Sequence, residues 1–152
     1  MMPEWASVLA GLAGGIAAAG VGVYYGEWLR DRRARRKQGA GLIARVRVLL
    51  VDADPASFAL GTMRERNQRH GQDLWRRWYE LREPFLEFGL LGSSNERELS
   101  KRAATDVALT IQALRNSVDD EVDDANRAKM RRTANQLRGQ AGESIDRLEE
   151  AL

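Results

Sequence analysis

The chain has 152 residues and no cysteine, so disulfide bonds and thiolate metal ligands are excluded. Its formal net charge of +2 is a small difference between 24 basic and 22 acidic side chains, and it has a single histidine. Beyond the first apolar segment we find no phosphate-binding glycine loop and no paired nucleophile and base. We therefore expect no enzymatic activity, no bound metal and no cofactor.

The first predicted element is a membrane-spanning helix. No charged residue occurs from Trp5 to Gly26, a run of 22 residues. At ~1.5 Å per residue a helix of this length covers roughly 33 Å, enough for a hydrocarbon core of about 30 Å. Aromatic residues stand at both ends of the run, as in the interfacial belts of membrane proteins: Trp5, Tyr24, Tyr25 and Trp28. We predict a transmembrane anchor over residues 1–28.

A strongly basic segment follows the apolar run. It contains six cationic side chains: Arg30, Arg32, Arg33, Arg35, Arg36 and Lys37. By the positive-inside rule they place the amino terminus outside and the carboxyl terminus in the cytoplasm, as for an inner-membrane protein, and they bind anionic headgroups. A cleaved signal peptide would carry its basic residues before the apolar run. Nucleic acid is the alternative partner, but residues 48–152 carry more acidic than basic side chains, which disfavours it.

Small residues recur four apart inside the predicted span. Gly11 with Gly15 and Gly22 with Gly26 both show the spacing that lets helix backbones approach closely in lipid. We therefore predict lateral packing of the span through these glycines, and a homo-oligomer is an expected state.

The remainder of the chain is predicted to be helical. Residues 29–41 are interpreted as a juxtamembrane segment and linker, and residues 42–152 as one small domain. Apolar side chains recur there at spacings of three and four, without the alternation of strands. The main rows are Leu42, Val46 and Leu49; Leu74, Trp78, Leu81, Phe85 and Phe88; Leu99, Ala103, Val107, Ile111, Leu114 and Val118; and Met130, Ala134, Leu137, Ala141, Ile145 and Leu148. The predicted fold is all-α, a transmembrane helix followed by a small cytoplasmic helical bundle.

Local chemistry predicts the helix boundaries. Asp54 can cap a helix that starts at the following proline, and Asn95 with Glu98 forms a capping-box pattern. Pro84 predicts a kink or a restart, because proline removes a helical hydrogen bond. The last two apolar rows form either an antiparallel pair hinged within residues 117–124 or one long helix. We favour the hairpin, because a single helix would expose a long apolar stripe.

Three groups of residues are candidates for function. The aromatic segment of residues 74–88 is mostly core, and Trp75 and Tyr79, just off the apolar stripe, are the predicted partner surface. The acidic run of residues 119–124 lacks the spacing of a calcium loop, so we interpret it as solvated. His70 precedes Gly71, where a helix can end, and is expected near C-terminal carbonyl groups.

The order of these features resembles a known group of proteins. A Gly/Ala-rich first span, the flank "RDRRARRK", a Trp-rich segment that runs into "LREPFL" and the helix "ATDVALTIQALR" occur here in that order. The chain resembles uncharacterised small single-pass membrane proteins of high-GC Gram-positive bacteria and their phages. The resemblance implies a bacterial membrane protein with a helical body, and it implies no activity.

Two classes of function remain open at this point. The first is a membrane-anchored interaction or scaffold protein whose helical body binds an unknown cytoplasmic protein or a second copy. The second is a phage-type membrane-active factor, a holin or exclusion protein, whose transmembrane helix oligomerises to alter the bilayer. We expect the first.

Overall fold

Four α-helices and one short 3₁₀ helix make up the described chain. The computed structural model describes the backbone of residues 4–58, 64–118 and 122–152, and the side chains of residues 27, 29–58, 65–118 and 122–152. The elements are α1 (Glu4–Asp52), a 3₁₀ turn (Pro55–Phe58), α2 (Arg64–Leu90), α3 (Ser94–Asn116) and α4 (Asp124–Glu150). None of these described ranges contains a strand, which confirms the all-α class. The chain divides into two compact units, residues 1–38 and residues 39–152.

The first unit consists of the amino-terminal part of α1. The predicted span lies outside the residues whose side chains the structure describes, and so do the four glycines predicted to pack it, Gly11, Gly15, Gly22 and Gly26. In the part of the chain that is described, no helix is both long and apolar enough to cross a membrane. The anchor therefore stays a prediction from the sequence.

The second unit is a helical bundle with one apolar core. The carboxyl-terminal part of α1 packs there with α2, α3 and α4, and each predicted apolar row contributes buried side chains. The largest side chains with almost no exposed surface are Trp78, Phe58, Phe85, Ile43, Leu49, Leu74, Ile111, Leu114, Ile145 and Leu148. Trp78 and Phe85 meet edge to face with ring centroids 6.4 Å apart, a favoured aromatic geometry. The bundle predicted for residues 42–152 is confirmed in its helical architecture.

Ion pairs define the two flanks of α1 in this unit. Arg47 donates to Asp146 at 2.7 Å and also pairs with Glu149, so this flank faces α4. These hydrogen bonds raise the pKa of the Arg47 guanidinium above its usual range. On the other flank Asp52 forms a salt bridge with Arg77 of α2, with its Oδ2 2.8 Å from the arginine Nη1. Exposed ion pairs of this kind add little stability. They show which side of α1 faces α4 and which side faces α2.

Helix α3 begins with a cap that lies two residues before the predicted one. Ser93 is the N-cap, and its Oγ accepts from the Glu96 amide at 3.2 Å. The residues Ser93 to Glu96 match the S-x-x-E capping box better than the pair Asn95 and Glu98, because serine is a box residue and asparagine is not. The sequence contains two overlapping capping patterns, Ser93 with Glu96 and Asn95 with Glu98, and α3 starts at the first of them.

Two glycines in the helices have opposite surroundings, which gives a matched prediction. A β-carbon at Gly89 would clash with the Ser100 hydroxyl and lie 2.5 Å from its Cβ, whereas one at Gly139 would have nothing within 4 Å. We expect Gly89→Ala to lower the free energy of unfolding by about 1–3 kcal/mol through overpacking. Gly139→Ala should raise it by about 0.5–1 kcal/mol, because alanine is the better helix former. Urea titration of both variants checks this; stabilisation by Gly89→Ala would contradict the α2–α3 packing.

The predicted hairpin between α3 and α4 is confirmed. Helix α3 ends at Asn116, and α4 starts at Asp124 after the N-cap Asp123. The amide of Asn126 donates to the Asp123 carboxylate at 2.8 Å, and this hydrogen bond lowers the pKa of Asp123. Residues 119–121 of the acidic run lie outside the described residues.

Two predicted helix boundaries take a different form. Helix α2 runs through Gly71 and through Pro84 without a restart, so the end predicted at Gly71 is wrong. The residues after Asp54 form a 3₁₀ turn, and the Ala56 amide donates to the Asp54 carboxylate at 3.2 Å. His70 does lie beside a helix carboxyl end, that of α1: its Nε2 is 3.0 Å from the carbonyl oxygen of Asp52.

A carboxyl group of α3 is buried without full hydrogen bonding. Asp106 is 9% exposed, and its Oδ2 has no hydrogen-bond partner in the described part of the chain. Burial raises the pKa of Asp106, and the positive charge of Arg102 opposes that shift. A carboxyl whose pKa is higher in the folded chain favours folding at low pH, and that contribution is lost as the pH rises through the folded-state pKa.

We therefore expect Asp106→Asn to stabilise the chain at pH 7 and to do so less in acid. The gain should be on the order of 1 kcal/mol at pH 7, since the substitution removes a poorly solvated charge. This gain in stability should become smaller below the ordinary pKa of aspartate, because the carboxyl of Asp106 in the wild-type chain is then protonated and carries no charge. Urea titrations of both proteins at several pH values test this, and a gain that does not vary with pH would refute it.

Candidate interaction surfaces

The basic segment lies on α1 and places its cations on several sides of that helix. Arg30, Arg32, Arg33, Arg36 and Lys37 are exposed, and Arg35 is half-buried. All six lie before residue 39 and thus belong to the first unit. Because α1 is helical here, the charges are distributed around the helix and do not form one flat patch. This arrangement suits a diffuse anionic surface better than a single bidentate site.

A polar groove between α2 and α3 contains one of the two predicted partner residues. Trp75 is half-buried, and the Arg115 guanidinium lies over its ring at 5.4 Å from the centroid. The groove has a volume of about 460 Å³. Its lining is rich in carboxamides and holds no carboxylate among the described residues: Gln68, Gln72, Trp75, Gln112, Arg115, Asn116 and Val118.

Gly71 positions the arginine of this groove. A β-carbon at Gly71 would lie 3.0 Å from the Cγ of Arg115, so the absence of a side chain lets the arginine stem lie against α2. The stem thus passes over Gly71 and the guanidinium reaches Trp75, one turn further along α2. Each carboxamide can both donate and accept hydrogen bonds, and the guanidinium can bind a carboxylate with two bonds. The groove is chemically suited to an extended peptide segment.

The second predicted partner residue lies on a different surface. Tyr79 is 71% exposed and lines a groove of about 560 Å³ along the outer face of α2 with Arg82, Leu86 and Leu90. Trp75 does not line that groove. The prediction named both aromatic residues as one surface, and the structure separates them into two adjacent grooves.

Sequence reasoning missed the α3 side of the Trp75 groove. Gln112, Arg115 and Asn116 follow the core row of α3 on its exposed side, and no local pattern distinguishes them from other solvated residues. One signal was present in Gly71, a glycine inside a helical row, which often marks a close approach of another chain segment. The sequence prediction instead treats this glycine as a helix end.

The described residues hold no group of three His, Cys, Asp or Glu side chains that could bind a metal ion.

Comparisons with protein-family models, curated proteins and solved structures find no match to this chain. The sequence pattern and these surfaces are therefore the basis for assigning a function to this chain.

Proposed function

We propose that the chain is a membrane-anchored helical interaction protein. Residues 5–26 form its single span, the amino terminus is outside, and residues 39–152 form a cytoplasmic domain that binds a protein partner. The observation that carries this proposal is the uncharged run of 22 residues followed directly by six basic side chains, joined to a compact helical bundle. That charge asymmetry is typical of a span whose carboxyl-terminal side is cytoplasmic.

The bundle itself supports binding as its role. It has an apolar core of its own, and its surface carries a groove in which Arg115 lies over the ring of Trp75. Half-buried tryptophan and positioned arginine are the residue types that contribute most to binding energy in protein interfaces. The partner is a cytoplasmic protein, bound through an extended segment.

Membrane fractionation with and without residues 1–28 tests the anchor. The full chain should stay in the membrane pellet after a carbonate wash, and the truncated chain should be soluble and helical by circular dichroism. A full chain released by carbonate would contradict the anchor. Growth arrest caused by residues 1–40 alone, without the bundle, would instead favour the membrane-active alternative.

A further inference from the structure

Two exposed leucines are adjacent in the turn between α2 and α3. Leu90 is 53% exposed and Leu91 is 72% exposed, and among the described residues they are the only two large exposed apolar side chains that are neighbours in sequence. No charged residue occurs from Phe88 to Asn95, although 30% of the chain is charged. An exposed apolar patch of this kind often marks a contact site. We call residues 90–92 the α2–α3 tip.

Backbone polar groups of the α2–α3 tip have hydrogen-bond partners within the chain. The amides of Leu91 and Gly92 each donate to a carbonyl of the last turn of α2 at 3.1 Å. The carbonyl of Leu90 accepts from the guanidinium of Arg97 at 3.2 Å. A segment that enters an apolar layer needs such partners, because a polar group without one is costly there. These three backbone groups can therefore leave water and keep their hydrogen bonds.

The α2–α3 tip lies at the end of the bundle where the chain enters it. A β-carbon at Gly39, the first residue of the bundle unit, would clash with the ring of Phe88 and lie 2.9 Å from the Cδ1 of Leu152. Phe88 precedes the tip by two residues on α2. In the proposed function the anchor ends at residue 28, and the eleven residue steps from there to Gly39 span at most about 40 Å. The tip is thus at the tethered end of the bundle.

We infer that the α2–α3 tip inserts its two leucines into the surface of the bilayer that holds the anchor. The inference rests on the proposed function, because the anchor keeps this end of the bundle within reach of the membrane and makes the contact intramolecular. Interfacial segments reach a depth of roughly 5–10 Å, where leucine side chains leave water and contact acyl chains. The occupant of this patch is therefore lipid.

Charged side chains around the α2–α3 tip define the kind of lipid contact it makes. Glu87 precedes the tip, and Glu96 and Glu98 follow it on α3 with Arg97 between them. The last turn of α4, residues 147–150, adds one arginine and two glutamates. This excess of carboxylates repels anionic headgroups, so attraction by headgroup charge does not hold the tip at the membrane. The contact depends on acyl chains and is expected in zwitterionic vesicles.

Insertion of the tip orients the bundle on the membrane. Trp75 lies fifteen residues before Leu90 on α2, which is about 22 Å along the helix. With the tip in the bilayer surface, the groove that contains Trp75 and Arg115 is held away from the lipid. The groove then stays open to a cytoplasmic partner.

Quenching of a fluorescent label by lipid tests the contact, because the protein has no cysteine of its own. Leu91→Cys and Val51→Cys each provide one thiol for the label, and both positions are 72% exposed. Val51 lies twelve residues beyond Gly39 on α1, about 18 Å along the helix. In the full chain reconstituted into phosphatidylcholine vesicles, lipids with brominated acyl chains should quench the label at residue 91 at least about fivefold more than the label at residue 51. Equal quenching at the two positions would overturn the inference.

A second pair of substitutions shows whether the leucines themselves make the contact. In the labelled Leu91→Cys chain, Leu90→Asp should reduce the quenching about fivefold, because a carboxylate resists transfer out of water. Val48→Asp is the matched control and should leave the quenching unchanged, since Val48 is 55% exposed and Leu90 is 53% exposed. Both changes fall on exposed side chains, so the helical circular dichroism signal should be retained. The same quenching in both variants would refute insertion of the tip.

A carbonate wash separates this inference from the anchor. If the full chain stays with the vesicles after the wash and the label at residue 91 is not quenched, the tip contact is refuted and the anchor is retained. If the chain was quenched at residue 91 before the wash and is released by it, the anchor is refuted and the tip contact is retained. Quenching at residue 91 that requires anionic phosphatidylglycerol would assign the contact to headgroup charge and contradict the inference.

Discussion

Replacing Trp78 by alanine is expected to lower the free energy of unfolding of the bundle by about 3–5 kcal/mol, the range for large aromatic truncations in packed cores. Trp78 is 1% exposed and packs edge to face against Phe85. A loss of this size is a large part of the stability of a small domain. Urea titration of residues 29–152, followed by circular dichroism, measures it.

The neighbouring tryptophan is the control for this prediction. Trp75 is half-buried and contacts Arg115, so Trp75→Ala should cost clearly less, about 1 kcal/mol from the lost cation–π contact and its packing. Trp78→Phe should also be milder than Trp78→Ala, since the buried Nε1 of Trp78 has no hydrogen-bond partner to lose in the described residues. Equal losses for both alanine variants would show that the two faces of α2 are assigned wrongly.

Neutralising the basic segment is expected to change the orientation of the chain in the membrane. With Arg30, Arg32, Arg33, Arg35, Arg36 and Lys37 all replaced by glutamine, the chain should insert in mixed or inverted orientation, because positive charge beside the span determines topology. Arg45 and Arg47 are the nearest remaining basic residues, and Arg47 is engaged by Asp146 and Glu149. Protease accessibility of the bundle in inverted vesicles measures the orientation.

A charge-conserving variant separates a topology signal from a specific binding site. Replacing the five arginines by lysine keeps every positive charge, so orientation should not change. A site that recognises phosphate or carboxylate with two parallel hydrogen bonds would lose affinity, because lysine acts as a point charge. If the glutamine variant keeps its bundle fully on the cytoplasmic side, the segment has another role and orientation is determined elsewhere.

The helical core was predictable because its signal is local. Residues such as Phe85, Val107 and Ile145 recur at helical spacing, and all three are fully buried. The hairpin between α3 and α4 followed from the same logic, since an uninterrupted helix would have left an apolar row in water. The spacing of apolar residues was sufficient to predict which side chains are buried wherever one face of a single helix forms the core.

The remaining features depend on contacts between distant residues. Helix α2 continues through Gly71, and the stem of Arg115 from another helix lies beside that glycine. The pair of Trp75 and Arg115 joins residues 40 positions apart, and neither sequence environment points to the other.

Gly39 and Leu152, the first and last residues of the bundle unit, lie close together. A β-carbon at Gly39, the first residue of this unit, would lie 2.9 Å from the Cδ1 of Leu152. A short linker could therefore join these ends without stretching, and the chain could be reopened at the exposed turn between α2 and α3. Such a circular permutant would keep the same four-helix packing with a different helix order. We expect such a permutant to fold, and the attachment point of the amino-terminal segment would then be a variable that protein engineering can move.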